Sequence, residues 1–474
     1  MSFESLSFAA FTLITLSAYW ALAPSRSAQK GLLLAASLVF YGLLGWGFVA
    51  LLALHTLANW ALALRIDGGP TSARWLRVGV GVNLGTLGFF KYYDFFRESL
   101  DDALATLGLT SHLPALQIVL PIGISFYCFQ GIAHLVELHR GTSPRARSFL
   151  DFALFQSFFV QLLMGPICRG RDLLPQLEQP APERLTRVPE AMALIAVGLF
   201  KRMVLASALF SHGVAEAFFA PDNFSAAALW VAMIGYTVQI YCDFSGYTDL
   251  MRGVALLMGF DIPDNFNRPY IATSVGDFWR RWHITFSNWL RDFIYFPMGG
   301  SRAGKLRTYL NLFTTMFVCG IWHGASWGYV IWGTVHGVAL VLYKVALDAK
   351  RARGIDPKKT LSPLPERVAG WFWTMGIVCF SRVFFVAPDL ETAGLYLRRM
   401  VDGASAGAGF DHVLVLATLL GLGWNFVGHR VRDGYAGLSR ALPRAGQVCF
   451  WFATLVLLLL IRPGGVSPNA YFGF

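Results

Sequence analysis

The sequence predicts an all-α, polytopic transmembrane protein. Of its 474 residues, 55% are hydrophobic and only 14% are charged, where a soluble domain carries about 25%. The apolar residues also gather in runs long enough to span hydrocarbon. These runs fall at 5–22, 31–64 (room for two), 76–95, 115–137, 148–166, 189–210, 225–258, 308–322, 326–343, 368–386, 411–428 and 445–461. Each is read as a helix, several of them short or interrupted.

The first run ends in Ala21-Leu22-Ala23, which resembles a signal-peptide cleavage site. Signal peptides begin basic, however, and here Glu4 precedes the run while the first cations, Arg26 and Lys30, follow it. An uncleaved first helix with its N-terminus outside is expected. The net charge of +11 fits cytoplasmic loops rich in Lys and Arg. No basic, aromatic-interleaved soluble segment offers a nucleic-acid surface, so no nucleic acid is expected as a partner. Cys128, Cys168, Cys242, Cys319, Cys379 and Cys449 are scattered without a CxxC pair. They read as core residues rather than disulfides or metal ligands.

Two basic loops orient the chain. Residues 277–307 hold Arg280, Arg281, Arg291, Arg302, Lys305 and Arg307; residues 344–367 hold Lys344, Lys350, Arg351, Arg353, Lys358, Lys359 and Arg367. Both should face the cytoplasm, with the basic stretches 140–147 and 169–187 on the same side. The two apolar runs between them then form a hairpin whose turn, Trp322-His323-Gly324-Ala325, points away from the cytoplasm. A first arm of 15 residues, 308–322, rises about 22 Å, short of the roughly 30 Å hydrocarbon core. His323 is thus expected at a buried tip. The Pro-rich segment 175–187 and the connection 347–367 read as loops, and neither separates domains. The whole of 1–474 reads as a single membrane domain, with its core at about 115–345.

Ionisable groups inside spans are costly and mark function. Tyr241, Asp243, Ser245, Tyr247 and Asp249 interrupt one run. They could line a cavity, or the aspartates could be structural, Asp249 pairing with Arg252 or capping a helix break at Gly246, and the two forming an internal ion pair with Arg268 or Arg280. Residues 273–295 read as one amphipathic helix begun by Ser274 and Asp277. Phe278, Trp282, Phe286, Trp289 and Phe293 form its apolar stripe, and Arg280, Arg281, Asn288 and Arg291 lie opposite. Such a helix suits the membrane interface, with His283 at the border beside Trp279. Alone, this pattern needs no chemistry at His283. His323 differs, because a buried, glycine-flanked imidazole suits general-base work. His336 follows one helix later. His134, His139, His212, His412 and His429 have bland, helix-end or loop-like surroundings.

The stretches Leu120–Gln130, Gln161–Pro166, Asp243–Asp249, Asn265–Tyr270, Phe278–His283 and Trp322–Gly324 together resemble the membrane-bound O-acyltransferase family. The likeness runs from about residue 30 to 345 and is nearest the bacterial branch that O-acetylates exopolysaccharides such as alginate and cellulose. The resemblance implies that His323 is the family's catalytic histidine and His283, 40 residues earlier, its second active-site residue. It implies a ring of helices around central re-entrant or interfacial helices, with a tunnel to a cytoplasmic donor. One departure is that relatives often read Phe-Phe-Arg-Ala where this chain reads Phe384-Phe385-Val386-Ala387, with Arg382 one turn earlier.

The expected activity is O-acyl transfer at the bacterial inner membrane. No cofactor is expected to stay bound, and acetyl-CoA is the expected donor substrate. The acceptor would be an exopolysaccharide, or a periplasmic acetyltransferase- or esterase-like partner, within a polysaccharide synthase complex and among membrane lipids. His323 would be the base and His283 would orient the thioester or hold its oxyanion. Trp279, Trp282, Trp322, Asn288, Tyr241 and Asp243 would bind substrate, and Arg280, Arg281 and Arg291 would meet donor phosphates. A transporter or channel, or a scaffold of a synthase complex, is the competing reading.

Overall fold

The computed structural model describes residues 5–109, 113–114, 116, 118–179, 185–355, 363–403 and 412–463. Glu4, residues 180–184 of the expected 175–187 loop, the start of the run at 411, and Lys358 and Lys359 lie outside them; residues 175–178 of that segment are helical. Every regular element among the described residues is helical. Among the described residues, seven helices are long and apolar enough to cross a membrane. The chain divides into two compact units, residues 1–188 with 251–263, and residues 189–250 with 264–474.

The first unit begins with α1 (Leu6–Ala21), α2 (Arg26–Gly42), α3 (Trp46–Arg65) and α4 (Ser72–Ala105), followed by α5 (Ile124–His139), α6 (Phe149–Ser157), α7 (Phe159–Leu162) and α8 (Gly170–Glu178). The run at 31–64 is two helices, as its length suggests. The run at 115–137 is not one span, because Pro121 and Gly123 delay the helix to Ile124. Gly123 takes φ +86 and lies so close to Leu162 that a Cβ would stand 2.5 Å from its carbonyl oxygen. Likewise 148–166 breaks at Phe158. Ser37 Oγ there accepts from the Phe159 N–H at 3.0 Å, replacing a lost intrahelical bond. Polar groups in this unit bind one another. Lys30 pairs with Asp151 at 2.5 Å, Arg169 with Glu137 at 2.9 Å, and Asn83 donates to Asn59 at 2.8 Å.

The second unit holds α9 (Val188–Leu199), which passes through a π-helical turn (Phe200–Ala206) into α10 (Ser207–Ser211). Next come the short α11 (Glu216–Phe219) and the long α12 (Ala226–Leu257), which runs on into the first unit after Leu250. Then follow α13 (Val275–Arg281), α14 (Ile284–Leu290) with a π-helical turn (Arg291–Tyr295), α15 (Lys305–His323), α16 (Trp327–Ala352), α17 (Leu364–Val386), α18 (Leu390–Val401), α19 (His412–Ala441) and α20 (Arg444–Ile461). His429 therefore sits within a helix rather than a loop.

Glycines set the helix crossings that position the polar residues. α9 and α12 touch backbone to backbone, and a Cβ on Gly198 would stand 2.6 Å from Gly246 O. Gly246 is consequently a packing residue in an unbroken helix, not a helix break. α15 and α16 make the expected hairpin, crossing where a Cβ on Gly320 would lie 2.8 Å from Gly333 Cα. Small residues permit this approach where lipid supplies no hydrophobic drive between helices. The first arm is longer than expected. Its 19 residues rise about 28 Å, and His323 is its last residue.

Gly320→Leu should strain the α15–α16 crossing by about 1–3 kcal/mol or more and lower the melting temperature of the detergent-solubilised protein. Gly376 has open space around it, so Gly376→Ala should leave that temperature unchanged or slightly raised.

Candidate active site

The segment expected to be one amphipathic helix is two helices with His283 at the joint. Ser274 starts α13 as anticipated, its Oγ accepting from the Asp277 N–H at 3.2 Å. At Trp282 the backbone is extended, and His283 takes the left-handed conformation, φ 45 and ψ 55. For a residue with a Cβ this conformation costs about 1–2 kcal/mol. The preceding segment offsets that cost by satisfying both helix ends. The Asn267 N–H donates to Arg281 O at 2.9 Å, and the Ile284 N–H donates to Asn265 O at 2.9 Å. The Asn265 side chain adds a second hold, its Oδ1 accepting from the Thr285 N–H at 3.2 Å and from Thr285 Oγ1 at 2.9 Å.

That same oxygen lies 3.2 Å from His283 Nδ1. A backbone N–H can only donate, so the atom facing Thr285 is the amide oxygen, not the nitrogen. A carbonyl oxygen can only accept, which puts the hydrogen of His283 on Nδ1. In the neutral ring, Nε2 then carries the lone pair. The ring is buried, edge-on to Phe244 at 4.9 Å and tilted against Phe286 at 5.0 Å.

His323, at the tip of α15, is half-buried among the rings of Trp322 (4.6 Å), Trp332 (4.9 Å) and Phe385 (4.9 Å). A Cβ on the next residue, Gly324, would run into the Tyr329 ring, so the chain can turn there only without a side chain. His283 and His323 line one small cavity with Ile240, Phe244, Trp279, Trp282, Phe286, Trp332, Arg382 and Phe385. Its volume of about 20 Å³ leaves room for little more than one water. Trp279 also lines a larger cavity of about 510 Å³, whose walls include Arg280, Asn288, Arg291, Met316 and Lys344.

The expected residues thus separate. His283, His323, Trp279 and Trp282 meet at the small cavity, while Asn288, Arg280 and Arg291 line the larger one. Trp322 packs behind, 4.2 Å from the Phe286 ring. Arg281 lines neither of these two cavities and pairs with Asp277 at 2.8 Å. Tyr241 is buried against Tyr270 at 5.1 Å and Trp282 at 6.4 Å. Asp243 pairs with Arg202 at 3.1 Å, both buried, rather than with Arg268 or Arg280. Asp249 pairs with Lys201 at 2.5 Å rather than with Arg252. The π-helical turn after α9 carries both of these cations, a partnership that local spacing does not encode. Trp332, Phe385 and Arg382 also line the small cavity, beyond the site residues that the sequence suggests. Trp332 stands four residues before His336 on one face of α16, a spacing that offers a usable signal. His336 itself sits 3.0 Å from Ser381 Oγ through Nε2.

Residues 132–385 match MBOAT, the membrane-bound O-acyltransferase family. The chain is similar to the "probable alginate O-acetylase AlgI" of Pseudomonas putida, 38% identical over 366 residues covering 76% of this chain and 72% of that protein. It is similar to the peptidoglycan O-acetyltransferase of Helicobacter pylori, 34% identical over 398 residues, 78% of this chain and 73% of that protein. It is also similar to the teichoic acid D-alanyltransferase of Streptococcus thermophilus, 31% identical over 286 residues, 56% of this chain and 68% of that protein. Both cavity histidines and Arg382 lie within the family match.

Nitrogen NMR of histidine-labelled protein should show His283 with a protonated Nδ1 and a pyridine-type Nε2. In Asn265→Leu that tautomer preference should be lost. Asp243→Asn leaves Arg202 buried without its counter-charge and should destabilise the protein by about 3–5 kcal/mol, read as loss of folded protein from the membrane.

Proposed function

This chain belongs to the membrane-bound O-acyltransferase family, and we propose that it moves an acetyl group from cytoplasmic acetyl-CoA to a hydroxyl of an exopolysaccharide such as alginate or cellulose. The transfer is direct or passes through a periplasmic partner protein, at the bacterial inner membrane and beside a polysaccharide synthase. The whole chain acts as one acyltransferase domain. Acyl transfer to a polymer is the activity that the names of its relatives share.

One observation carries the assignment of roles: two histidines distant in sequence face a single aromatic-walled cavity. His323, half-buried at the hairpin tip, is the general base. It takes the proton of the acceptor hydroxyl as that oxygen attacks the thioester carbonyl carbon. When the C–S bond breaks, His323 returns the proton to the leaving thiolate, so the sum is thioester plus alcohol to ester plus thiol. General-base help of this kind is worth about 10²–10⁴-fold, and the rest comes from positioning in a dry site. His283, its Nδ1 hydrogen engaged by Asn265, accepts rather than donates. The geometry therefore favours orienting a substrate hydrogen over holding an oxyanion. The donor arm reaches Trp279 through the larger cavity. Arg280 and Arg291, joined by Lys344, exchange their pairs with Asp277, Asp292 and Asp348 for its phosphates, whereas Arg281 does not line that cavity. Trp322, Tyr241 and Asp243 support the walls. A cavity this narrow leaves no passage for a sugar, which disfavours the transporter reading.

His323→Ala should leave folded protein in the membrane while polymer acetylation falls by about 10²–10⁴-fold, measured as acetyl content of extracellular polysaccharide. Acetylation at the wild-type level would remove His323 from the mechanism.

A further inference from the structure

Charges in the core of the second unit are matched, as Arg202 with Asp243 and Lys201 with Asp249. Arg382 breaks the pattern. It is 4% exposed on α17 and lines the small cavity between the histidines. Its guanidinium carbon lies 5.3 Å from the Trp282 ring centre and 5.2 Å from that of Phe385. Two ring faces hold a cation in place without neutralising it. Among the described residues no carboxylate pairs with it. The ionisable groups around it are the phenols of Tyr270 and Tyr236, the thiol of Cys379 and the imidazole of His336, with His283 and His323 across the cavity. Its Nε has no hydrogen-bond partner among the described residues, and neither do the indole N–H groups of Trp279 and Trp332. Those two residues are 8% and 3% exposed and line the same cavity.

A buried cation without a counter-ion is expensive, and so are buried donors without acceptors. Three such features around one void are costly unless something with negative charge enters it. The tautomer of His283 removes that ring from the candidates, since its hydrogen is used on Asn265. We propose that Arg382 holds the oxyanion of acyl transfer, with the indole N–H groups of Trp332 and Trp279 as the neighbouring donors. This rests on the acyltransferase reading above and adds the group that reading lacks. As the acceptor oxygen bonds to the carbonyl carbon, the carbonyl π pair moves onto oxygen and is met by Arg382. When the carbonyl re-forms, that pair returns to carbon and the C–S pair leaves with sulfur. The cation is fixed before charge develops and so costs no reorganisation at that moment.

The test uses membrane vesicles of the source cell in which the gene carries Arg382→Gln, Arg382→Lys, Trp332→Phe or His323→Ala. Thiol release is followed against acetyl-CoA concentration and normalised to folded protein. Arg382→Gln should lower kcat by about 10²–10³-fold with KM little changed. Arg382→Lys should recover part of that loss, and Trp332→Phe, which keeps the ring and deletes the donor, should lower kcat roughly tenfold. Wild-type kcat in folded Arg382→Gln would overturn the inference. If that variant does not fold, wild-type kcat in both Arg382→Lys and Trp332→Phe would overturn it instead. Unchanged thiol release in His323→Ala is a separate outcome, and it would overturn the acyltransferase assignment beneath this one.

Discussion

A membrane protein has no bulk water with which to satisfy its interior polar groups, so each must find a partner in the chain or wait for one in a substrate. This constraint sorts the polar residues here. Arg202 and Asp243, Lys201 and Asp249, and Asn265 with His283 and Thr285 answer one another within one unit. Once they are set aside, the Arg382 side chain and the indole N–H groups of Trp279 and Trp332 remain, around a void of about 20 Å³ that both histidines also line. The residues that hold the fold and those that face substrate are thereby distinguished by what they touch, which their identity alone does not reveal.

The strained joint at His283 follows from the same accounting. A continuous helix would carry the imidazole on its surface, at the border of two faces. Breaking the helix places the ring in the interior, and Asn265 and Asn267 take up the backbone groups that the break exposes. The asparagine that stabilises the break also fixes which nitrogen carries the hydrogen. Local conformation, packing and protonation are thus set by one side chain.

Much of this was legible in the sequence. Long apolar runs gave the membrane class, basic loops the hairpin, and glycine-flanked His323 its tip. The break at His283 was not legible, because residues 278–293 keep an unbroken helical period and contain neither proline nor glycine; its cause lies in Asn265, 18 residues away. The partners of Asp243 and Asp249 escaped for a similar reason, since Lys201 and Arg202 approach from another helix. By contrast, the late start of α5 had a local signal in Pro121 and Gly123, outweighed in the reading by the hydropathy around them. Arg382 stands in the sequence as a departure from the relatives' pattern, but only its surroundings show that it lines the cavity of the histidines.

The central claim is that both histidines and Arg382 address one carbonyl group. It is tested most directly by electron cryo-microscopy of the protein with an acetyl-CoA analogue in which a methylene replaces sulfur. The account expects the carbonyl in the small cavity, its oxygen within hydrogen-bond reach of Arg382, its carbon facing His323, and the donor arm passing Trp279 from the larger cavity. A well-ordered analogue whose carbonyl lies away from both histidines would contradict it.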